Sequence, residues 1–352
     1  MKSSNLNPHE HCVHDHSSSE PSSESNLAFY FQLLFILFIL ILVFCFRGAP
    51  FFKTLGITFV SIFLEALPFM LAGALIGGFV EEFISREALV RFLPKKKWQS
   101  ILMSAGIGLI FPICECAIVP VVRRLYQKGF PMGAGIAFLL GGPIVNPLVI
   151  LSTSVAYGYD WSIAAERMVF GYLIAVAIGL LVEVFFDRTS VLAPDVAFEE
   201  PSCGCGHCHE HEASSSLLQR IVRSFHHGAA DFLDIGRFMI FGAFIAGLLQ
   251  SLIARGSMAG IAGSSFTSIL FMMLLAFILN LCSEADAFLA ASFRTTFPLV
   301  AQMAFMVLGP MLDIKLILMF FRVFRKRFIM IFSFLTFFTV LLCMLVKLLA
   351  TV

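Results

Sequence analysis

Charged residues are scarce in this 352-residue chain, where Asp, Glu, Lys and Arg together make up 13%, against about a quarter in an ordinary soluble domain. Apolar residues amount to 59% and the mean hydropathy is +0.92. One water-covered core cannot bury that much apolar surface, which excludes a soluble enzyme. The 24 Lys and Arg and the 23 Asp and Glu nearly cancel, so no basic surface is offered to a nucleic acid. The composition therefore indicates a polytopic membrane protein.

Nucleotide-binding and secretory signals are also missing. No GxxxxGK[ST] loop occurs, so any transport energy must come from an ion gradient or a partner chain. Residues 1–26 are polar and rich in Ser and His, without the basic and apolar regions of a signal peptide. We expect this segment to form a disordered His-rich cytoplasmic tail. We expect no enzymatic activity.

Long apolar runs occupy most of the remaining sequence. Residues 27–46 have the length of one membrane crossing and predict an extra transmembrane helix. Eight further runs follow, and a polar break divides them into two groups, residues 55–186 and 236–350. Between the groups, residues 187–235 predict a cytoplasmic Cys/His-rich loop and an amphipathic surface helix that begins near Leu217. The fold class expected is all-α.

The two groups are related by an internal duplication. Segments of the first group recur in the second at offsets of 169, 168 and 167 residues. Phe-Pro and Gly-Pro pairs in register make chance similarity between apolar helices a poor explanation. The matching positions include Glu65 with Asp234, Cys114 with Cys282, Phe130 and Pro131 with Phe297 and Pro298, and Gly142 and Pro143 with Gly309 and Pro310.

The positions of Lys and Arg predict the topology, because these residues accumulate on cytoplasmic loops. If the runs at 100–122 and 267–292 both cross the membrane, the loop charges divide evenly between the two faces. If both runs are re-entrant, 17 of the Lys and Arg residues in loops lie on one face of the membrane and 5 lie on the other. We therefore predict two inverted repeats, about seven transmembrane helices plus two re-entrant segments, with the C-terminus outside. The alternative is nine transmembrane helices with parallel repeats. Inverted repeats with broken helices are typical of transporters.

A cysteine motif inside the first group is the most informative segment. Pro112 and Pro120 enclose Cys114, Glu115 and Cys116. Prolines at membrane depth are tolerated where the freed backbone groups face a cavity or other protein. Thiolates bind soft metals, and an ionisable residue in an apolar run is costly unless it is paired or used. The alternative is that both cysteines are small core residues and Glu115 bonds to a neighbouring helix.

The second group supplies a counterpart to this motif. Cys282, Glu284 and Asp286 occupy the equivalent place in the repeat. Under inversion the two segments would meet, so that three thiols face a soft metal or metalloid while the carboxylates hold countercharge or protons. The candidate substrate-binding residues in these two segments are Cys114, Glu115, Cys116, Cys282, Glu284 and Asp286.

Three other polar residues lie within apolar runs. A second helix break is predicted at Gly141–Pro147, where the Asn146 amide is a further candidate substrate-binding group; a simple proline kink is the alternative. Glu65 and Arg167 are expected to pair with each other for structure or to relay protons.

Two clusters outside the apolar runs combine His and Cys, the residue types that coordinate zinc and Cu(I). Both are cytoplasmic in the predicted topology, where thiols stay reduced. No cofactor is required, but we expect the clusters to bind zinc or another soft metal; the alternative for the tail is a solvated polar segment. The candidate metal ligands are His9, His11, Cys12, His14, His16, Cys203, Cys205, His207, Cys208, His209 and His211.

Cys114 and Cys116 lie between two prolines, and a Gly/Pro/Asn-rich helix break follows further along the chain. In these features residues 55–350 resemble the ArsP-like and YraQ-type permeases, which include organoarsenical exporters. This resemblance implies a bacterial plasma-membrane permease in which Cys114 and Cys116 bind trivalent arsenicals. Where the exporters carry serine between and after the cysteines, this sequence has Glu115 and Ala117. An anionic carboxylate favours a cation, and so do the extra His/Cys clusters.

We therefore predict a secondary permease that exports a soft metal or metalloid species, either a zinc-like cation or a trivalent arsenical. The expected partners are membrane lipid and the transported species. One alternative is a membrane subunit of a multi-component metal-handling complex, with a second membrane, periplasmic or extracellular subunit. Another is a membrane thiol redox protein, although a disulfide between cysteines one residue apart is strained.

Overall fold

The computed structural model describes residues 37, 50–83, 94, 96–110, 114–193, 217–252, 264–279 and 281–351. The chain divides into two compact units, Met1–Gly48 and Ala49–Val352. In the first unit Leu37 alone is described, and it is helical. The predicted helix at 27–46, the His-rich tail and the Cys/His cluster of the loop lie outside the described residues. All helices named below belong to the second unit.

The described part of the second unit is built from helices of very different lengths. Apolar sequence explains the long ones, and polar caps or prolines explain where several short ones begin. In chain order the helices are α1 (Pro50–Phe83), α2 (Lys97–Gly106), α3 (Glu115–Gln127), α4 (Met132–Gly141), α5 (Pro147–Ala156), α6 (Trp161–Phe185), α7 (Arg188–Val191), α8 (Leu217–Leu252), α9 (Ser265–Leu279), α10 (Ser283–Ser292), α11 (Leu299–Met311), α12 (Ile314–Phe320) and α13 (Lys326–Thr351).

Helices α1 to α6 recur in the same order as α8 to α13. Helix α3 follows Cys114 and its counterpart α10 follows Cys282, at the predicted offset of 168 residues. Helices α5 and α12 follow the equivalent residues Asn146 and Asp313, whose side chains both cap the first turn. The duplication found in the sequence is therefore also a duplication of helix order and helix caps.

Equivalent helices of the two halves pack antiparallel. A Cβ atom on Gly78, near the end of α1, would lie 2.2 Å from the Ser224 carbonyl oxygen near the start of α8. At the other end of the same pair, Gly247 faces Leu55. Helices α6 and α13 likewise meet at both ends, through Phe186 with Phe328, whose ring centroids are 5.4 Å apart, and through the ion pair of Glu166 with Lys347.

The two ends of this bundle are defined by different contacts. At the Arg124 end, the Arg124 guanidinium donates two hydrogen bonds to Asp231, at 2.6 and 2.9 Å. At the Tyr157 end, the Tyr157 hydroxyl donates to the Gln302 amide oxygen at 2.8 Å, and the Arg294 guanidinium lies over the Tyr157 ring. Helix α6 begins four residues after Tyr157 and ends near the Arg124 end, so it runs the full depth of the bundle.

Two broken segments lie toward opposite ends of the bundle. Segment α2–α3 starts at the Arg124 end, where Lys97 pairs with Glu183 of α6, and returns there with Arg124. Segment α9–α10 lies toward the other end, where Phe271 stacks on Phe297 and α10 leads to Arg294. The second helix of each segment begins directly after a cysteine, Cys114 or Cys282.

Five stretches of the described residues are long and apolar enough to cross a membrane. The fourth is interrupted near Asp313, a break that the sequence analysis did not predict. The predicted break at Gly141–Pro147 is present, since α4 ends at Gly141 and α5 begins at Pro147. The five stretches are Lys53–Val80, Trp161–Phe185, Ile221–Leu249, Leu299–Phe320 and Lys326–Ala350.

The amphipathic surface helix expected to begin near Leu217 is not a separate helix. It forms the first half of α8, which continues to Leu252 and packs along α1. The expected division of the chain between residues 235 and 236 therefore falls inside a continuous helix. The physical reason is that small residues such as Gly228, whose Cβ would lie 3.0 Å from the Ala74 carbonyl oxygen, allow α8 to approach α1 before its apolar part begins.

Candidate functional site

The predicted cysteine motifs lie at the starts of two helices. Cys114 and Cys282 are the N-cap residues of α3 and α10, both with extended backbone. Neither side chain caps its helix, so both thiols are available for other contacts. Both residues are buried, and the adjacent Glu115 and Ser283 are fully buried. Ser283 donates a hydrogen bond to the Glu115 carboxylate at 3.4 Å, which joins the two halves at this point.

A small cavity collects the three predicted thiols. Its volume is about 10 Å³, roughly the space that one water molecule needs. All three cysteines are free of disulfides. The predicted convergence of thiols from both halves is thus present in the geometry. The lining residues are Ile62, Glu65, Ala66, Phe69, Cys114, Glu115, Cys116, Cys282 and Lys315.

Lys315 is the partner of Glu115 in this cavity. Its ammonium nitrogen lies 3.4 Å from a Glu115 carboxylate oxygen and 3.8 Å from an Asp313 oxygen. All three side chains are buried. Asp313 also accepts a hydrogen bond from the Leu316 backbone N–H at 2.6 Å, which caps α12. The Glu115 carboxylate is therefore held in a buried charge network.

The other two predicted carboxylates make different contacts. Glu284 is half-buried and accepts a hydrogen bond from the Cys282 thiol at 2.9 Å. Asp286 is buried, and its Oδ2 lies 3.9 Å from the Arg167 guanidinium without a hydrogen bond. A Cβ atom on Gly309 would lie 2.7 Å from that oxygen, so a larger residue at 309 would require the Asp286 carboxylate to shift. Glu284 lies at the thiols, whereas Asp286 belongs to the Arg167 network.

Arg167 connects both halves at the centre of the bundle. Its guanidinium donates to the Thr153 hydroxyl at 2.8 Å, to the Ser283 carbonyl at 2.9 Å and to the Met306 carbonyl at 3.2 Å. The ionic partner of Arg167 is Asp286, so the expectation that it pairs with Glu65 is wrong. The reason is that Glu65 lines the thiol cavity from α1, whereas Arg167 is not among the residues that line it.

Asn146 lies at the predicted break, where its side chain caps the following helix. It is buried, and its Oδ1 accepts a hydrogen bond from the Leu148 N–H at 2.9 Å, which caps α5. Asn146 is not among the residues that line the thiol cavity. Its substrate-binding role stays a prediction.

A wider cavity of about 430 Å³ adjoins the small one. The two share Glu65, Phe69 and Cys282. Its remaining wall is mostly apolar, and Leu148 and Leu151 are each 50% exposed there. These residues place the cavity between α1, α5 and α10. Its other lining residues are Ser152, Val155, Glu284 and Phe288.

No set of three His, Cys, Asp or Glu side chains is arranged to hold a metal ion in the part of the chain that the structure describes. The His/Cys clusters of the tail and the loop lie outside that part. At the start of α8, His226 is exposed and His227 is half-buried, where it lies 3.7 Å from Glu82. Zinc binding by the clusters stays a prediction.

Lys315 and Asp313 are site residues that the sequence analysis missed. Lys315 lies in an apolar run of the sequence, where no local pattern indicates a partner. The repeat offset of 167 residues that relates Phe130 to Phe297 also relates Asn146 to Asp313. Applying it to the Gly141–Pro147 break would have predicted a second break at Asp313.

Helices of crossing length, a duplicated helix order and a buried polar centre between the halves define a multi-pass membrane permease. The chain belongs to the ArsP_1 family, described as "Predicted permease", whose model matches residues 52–348. It is therefore a multi-pass protein of the cell membrane. No solved structure matches the chain.

Several other proteins are similar in sequence to this chain. YcgR of Bacillus subtilis is 40% identical over 79% of this chain and 91% of its own length. A protein of Streptococcus mutans, named as a candidate subunit of a two-component membrane permease complex, is 38% identical over 77% of this chain and 87% of its own. YraQ of Escherichia coli is 26% identical over 41% of each chain.

Proposed function

We propose that this chain is a secondary permease that exports a soft metal or metalloid species through the thiol cavity. The observation that carries the proposal is that Cys114, Cys116 and Cys282, from both halves of the duplication, line one buried cavity with Glu115. Sulfur is the ligand that soft ions and trivalent metalloids prefer. Buried ionisable residues within a membrane are expensive and mark transport sites by default.

The arrangement of the halves supports alternating access. Equivalent helices run antiparallel, and the broken segments α2–α3 and α9–α10 come from opposite ends of the bundle. We infer two inverted repeats with two re-entrant segments, and about seven crossings when residues 27–46 are included. In such transporters the two halves exchange conformations around a site near the midplane.

The thiols must move to bind the cargo. The cavity between them has a volume of only about 10 Å³, and the Cys282 thiol is hydrogen bonded to Glu284 at 2.9 Å. A small displacement of α3 relative to α10 would widen the cavity and free Cys282 for a bond to the cargo. The loop clusters would capture the ion on the cytoplasmic side, which the Arg124 end faces in the predicted topology.

Total cellular zinc, copper, cobalt, cadmium and arsenic, measured by mass spectrometry, tests this proposal. Cells would express the wild type, the double variant Cys114→Ser/Cys116→Ser, or Cys343→Ser, which alters a free cysteine on α13 outside the cavity. We expect one element to fall with the wild type and with Cys343→Ser but not with the double variant. Equal contents of every element in all three strains would contradict the proposal.

A second candidate is a subunit of a two-component permease complex, which the name of the Streptococcus mutans relative favours. Proteoliposomes that contain only the purified chain separate the two candidates. Cysteine-dependent flux from them supports a self-sufficient permease. Flux that appears only when a membrane extract of the native cells is added before reconstitution supports an obligatory partner.

A further inference from the structure

An exposed carboxylate lies near the middle of the membrane-crossing helix α1. Glu65 comes 12 residues after the start of the apolar stretch Lys53–Val80, about 18 Å along the helix axis, and its side chain is exposed. The adjacent Leu64 is 62% exposed. An ionisable group on the outside of a bundle at this depth is costly unless a partner meets it.

Pro68 adds a second acceptor to the same face of α1. Proline has no N–H group, so the Leu64 carbonyl does not receive the hydrogen bond that residue 68 would otherwise donate within the helix. Pro68 is itself exposed. Backbone groups freed at membrane depth are tolerated where other protein or a water-filled cavity satisfies them. The Leu64 carbonyl and the Glu65 carboxylate therefore both call for a donor from outside α1.

The lysine that shares the thiol cavity with Glu65 is committed to other carboxylates. The Lys315 ammonium nitrogen lies 3.4 Å from Glu115 and 3.8 Å from Asp313. Within the described residues, Glu65 forms no ion pair with a Lys, Arg or His. Glu284 lines the wider cavity together with Glu65. This face of the bundle therefore carries an excess of negative charge.

The second half of the chain has a cation at the position of Pro68. The offset of 169 residues relates Glu65 to Asp234. The same offset relates Pro68 to Arg237. A separation of three residues is one at which opposite charges on a helix attract each other. The acidic residue of the second half thus has a cation within its own helix, whereas that of the first half has proline there.

A groove beside Glu65 has room for the side chains of another helix. The wider cavity between α1, α5 and α10 has a volume of about 430 Å³. Leu148 and Leu151 on its wall are each 50% exposed, and Phe288 is 53% exposed. An apolar wall with a carboxylate at its edge fits a helix that is apolar along its length and carries one long cationic side chain.

We propose that Glu65 and the groove beside it, here called the Glu65 face, dock a membrane-spanning helix of a partner subunit, whose Lys or Arg side chain pairs with Glu65. This inference rests on the second candidate function above and identifies the surface at which the two components meet. In a medium of low dielectric constant, one such pair contributes strongly to the choice of partner. The Leu64 carbonyl accepts a further hydrogen bond from the same cationic group.

Charge separates this partner from the other possible occupants. Residues 27–46 contain no Lys, Arg or His, and lipid chains offer no cation at this depth. In a second copy of the chain, Arg167 and Lys315 are buried and Arg237 is half-buried, so none of these three described cations is presented to a neighbour. The cation that fits the Glu65 face therefore comes from a different chain.

Photo-crosslinking in native membranes tests the docking surface. The full-length chain carries benzoylphenylalanine in place of Leu64 or, as a matched control, in place of Leu173, which is 53% exposed on α6. The peptide attached after irradiation is identified by mass spectrometry. We expect the probe at 64 to attach to a membrane-spanning segment of another chain, with a Lys or Arg within about 6 Å along the helix, or one turn, of the attachment point. The probe at 173 should not attach to this segment.

The dependence on charge is measured in the same experiment. We expect Glu65→Gln to lower the yield at position 64 about fivefold or more, because the ion pair is lost. Glu166→Gln, which alters a carboxylate paired with Lys347 on α13, should leave the yield within about twofold. An undiminished yield in Glu65→Gln would overturn the inference. So would attachment to residues 27–46, to a second copy, to lipid alone or to a helix without a central cation.

Synthetic helices cover the case in which Glu65→Gln does not fold, because they need only the wild-type chain. The probes are a Leu/Ala membrane-spanning peptide with one central Lys and the same peptide with a central Leu. Energy transfer to the purified full-length chain in nanodiscs measures binding. We expect the Lys peptide to bind about tenfold more tightly, and a Lys moved about 9 Å along the peptide to lose this advantage. Equal binding of both peptides would overturn the inference.

The outcome for the surface is separable from the outcome for the second candidate function. If the Glu65 face captures no partner helix while flux still requires the membrane extract, the docking surface is wrong and the two-component function stands. Flux from the purified chain alone would instead refute an obligatory partner, whichever peptide the probe captures.

Discussion

Cys114 and Cys282 occupy the same N-cap position of equivalent helices, 168 residues apart, and their thiols line one cavity. The starts of two equivalent helices therefore lie beside the same cavity. The copies are no longer identical, because Glu115 in the first half corresponds to Ser283 in the second, and these two side chains are hydrogen bonded. The centre of the permease is therefore pseudo-symmetric in backbone and asymmetric in charge.

Gly73 on α1 sets the position of the cysteine-bearing helix α3. A Cβ atom there would lie 2.4 Å from the Ala117 carbonyl oxygen, whereas one on Gly77, a turn further on, would lie 3.6 Å from its nearest neighbour. We expect Gly73→Ala to cost about 1–3 kcal/mol of stability through overpacking and to lower cysteine-dependent export. Gly77→Ala should be within about 0.5 kcal/mol of the wild type. Thermal unfolding in one detergent compares the two, and equal midpoints would contradict the assigned contact.

Arg167 and Asp286 should behave as a coupled pair. Arg167→Met leaves a buried carboxylate without its cation, and such a loss typically costs about 3–5 kcal/mol. Arg167→Met/Asp286→Asn removes both charges and should be more stable than Arg167→Met alone. A double-mutant cycle from unfolding midpoints measures the coupling. Strictly additive effects would show that the two side chains do not interact.

Asn146 can be tested as a helix cap and as a substrate ligand in one experiment. Asn146→Ala should cost about 0.5–2 kcal/mol because α5 loses its cap, while Asn146→Ser should retain most of the stability. If capping is its whole role, Asn146→Ser should export like the wild type. Normal stability with lost export in Asn146→Ser would instead support the predicted role in substrate binding.

The contact between Arg124 and Asp231 should fasten α3 to α8 at the Arg124 end. Asp231 also lies 3.5 Å from Arg123, so it serves two cations. We expect Asp231→Asn to lower stability by about 1.5–3 kcal/mol, the usual worth of hydrogen bonds to a charged group. The longer pair of Arg223 with Glu82, 4.0 Å apart and with the arginine side chain 47% exposed, provides the comparison, and Glu82→Gln should cost less than about 1 kcal/mol. A larger cost for Glu82→Gln than for Asp231→Asn would contradict this ranking.

The sequence predicted the parts of the site that carry their own local signal. Prolines beside Cys114 and Gly-Pro near Asn146 indicated the helix breaks, and the repeat offset indicated that Cys282 is the counterpart of Cys114. Lys315 gave no such signal, because a single lysine in an apolar run is compatible with many environments. Its pairing with Glu115 depends on residues 200 positions apart, and no local pattern specifies such a contact.

The partner of Arg167 was mispredicted for a related reason. The sequence suggested Glu65 because it and Arg167 both lie inside apolar runs of the same half. The structure pairs Arg167 with Asp286 of the other half, across a helix crossing that Gly309 keeps open. Pairings between the halves depend on how the repeats pack against each other. The offset identifies equivalent residues but not neighbouring ones.

The small size of the thiol cavity has a consequence for the rate of transport. A hydrated ion is several times larger than the single water-sized space between Cys114, Cys116 and Cys282. Under the proposed function, the cargo must therefore arrive without its hydration shell or wait until the helices part. Under either route, the dwell time of each molecule is governed by dehydration and helix motion rather than by diffusion, so turnover should rise steeply with temperature.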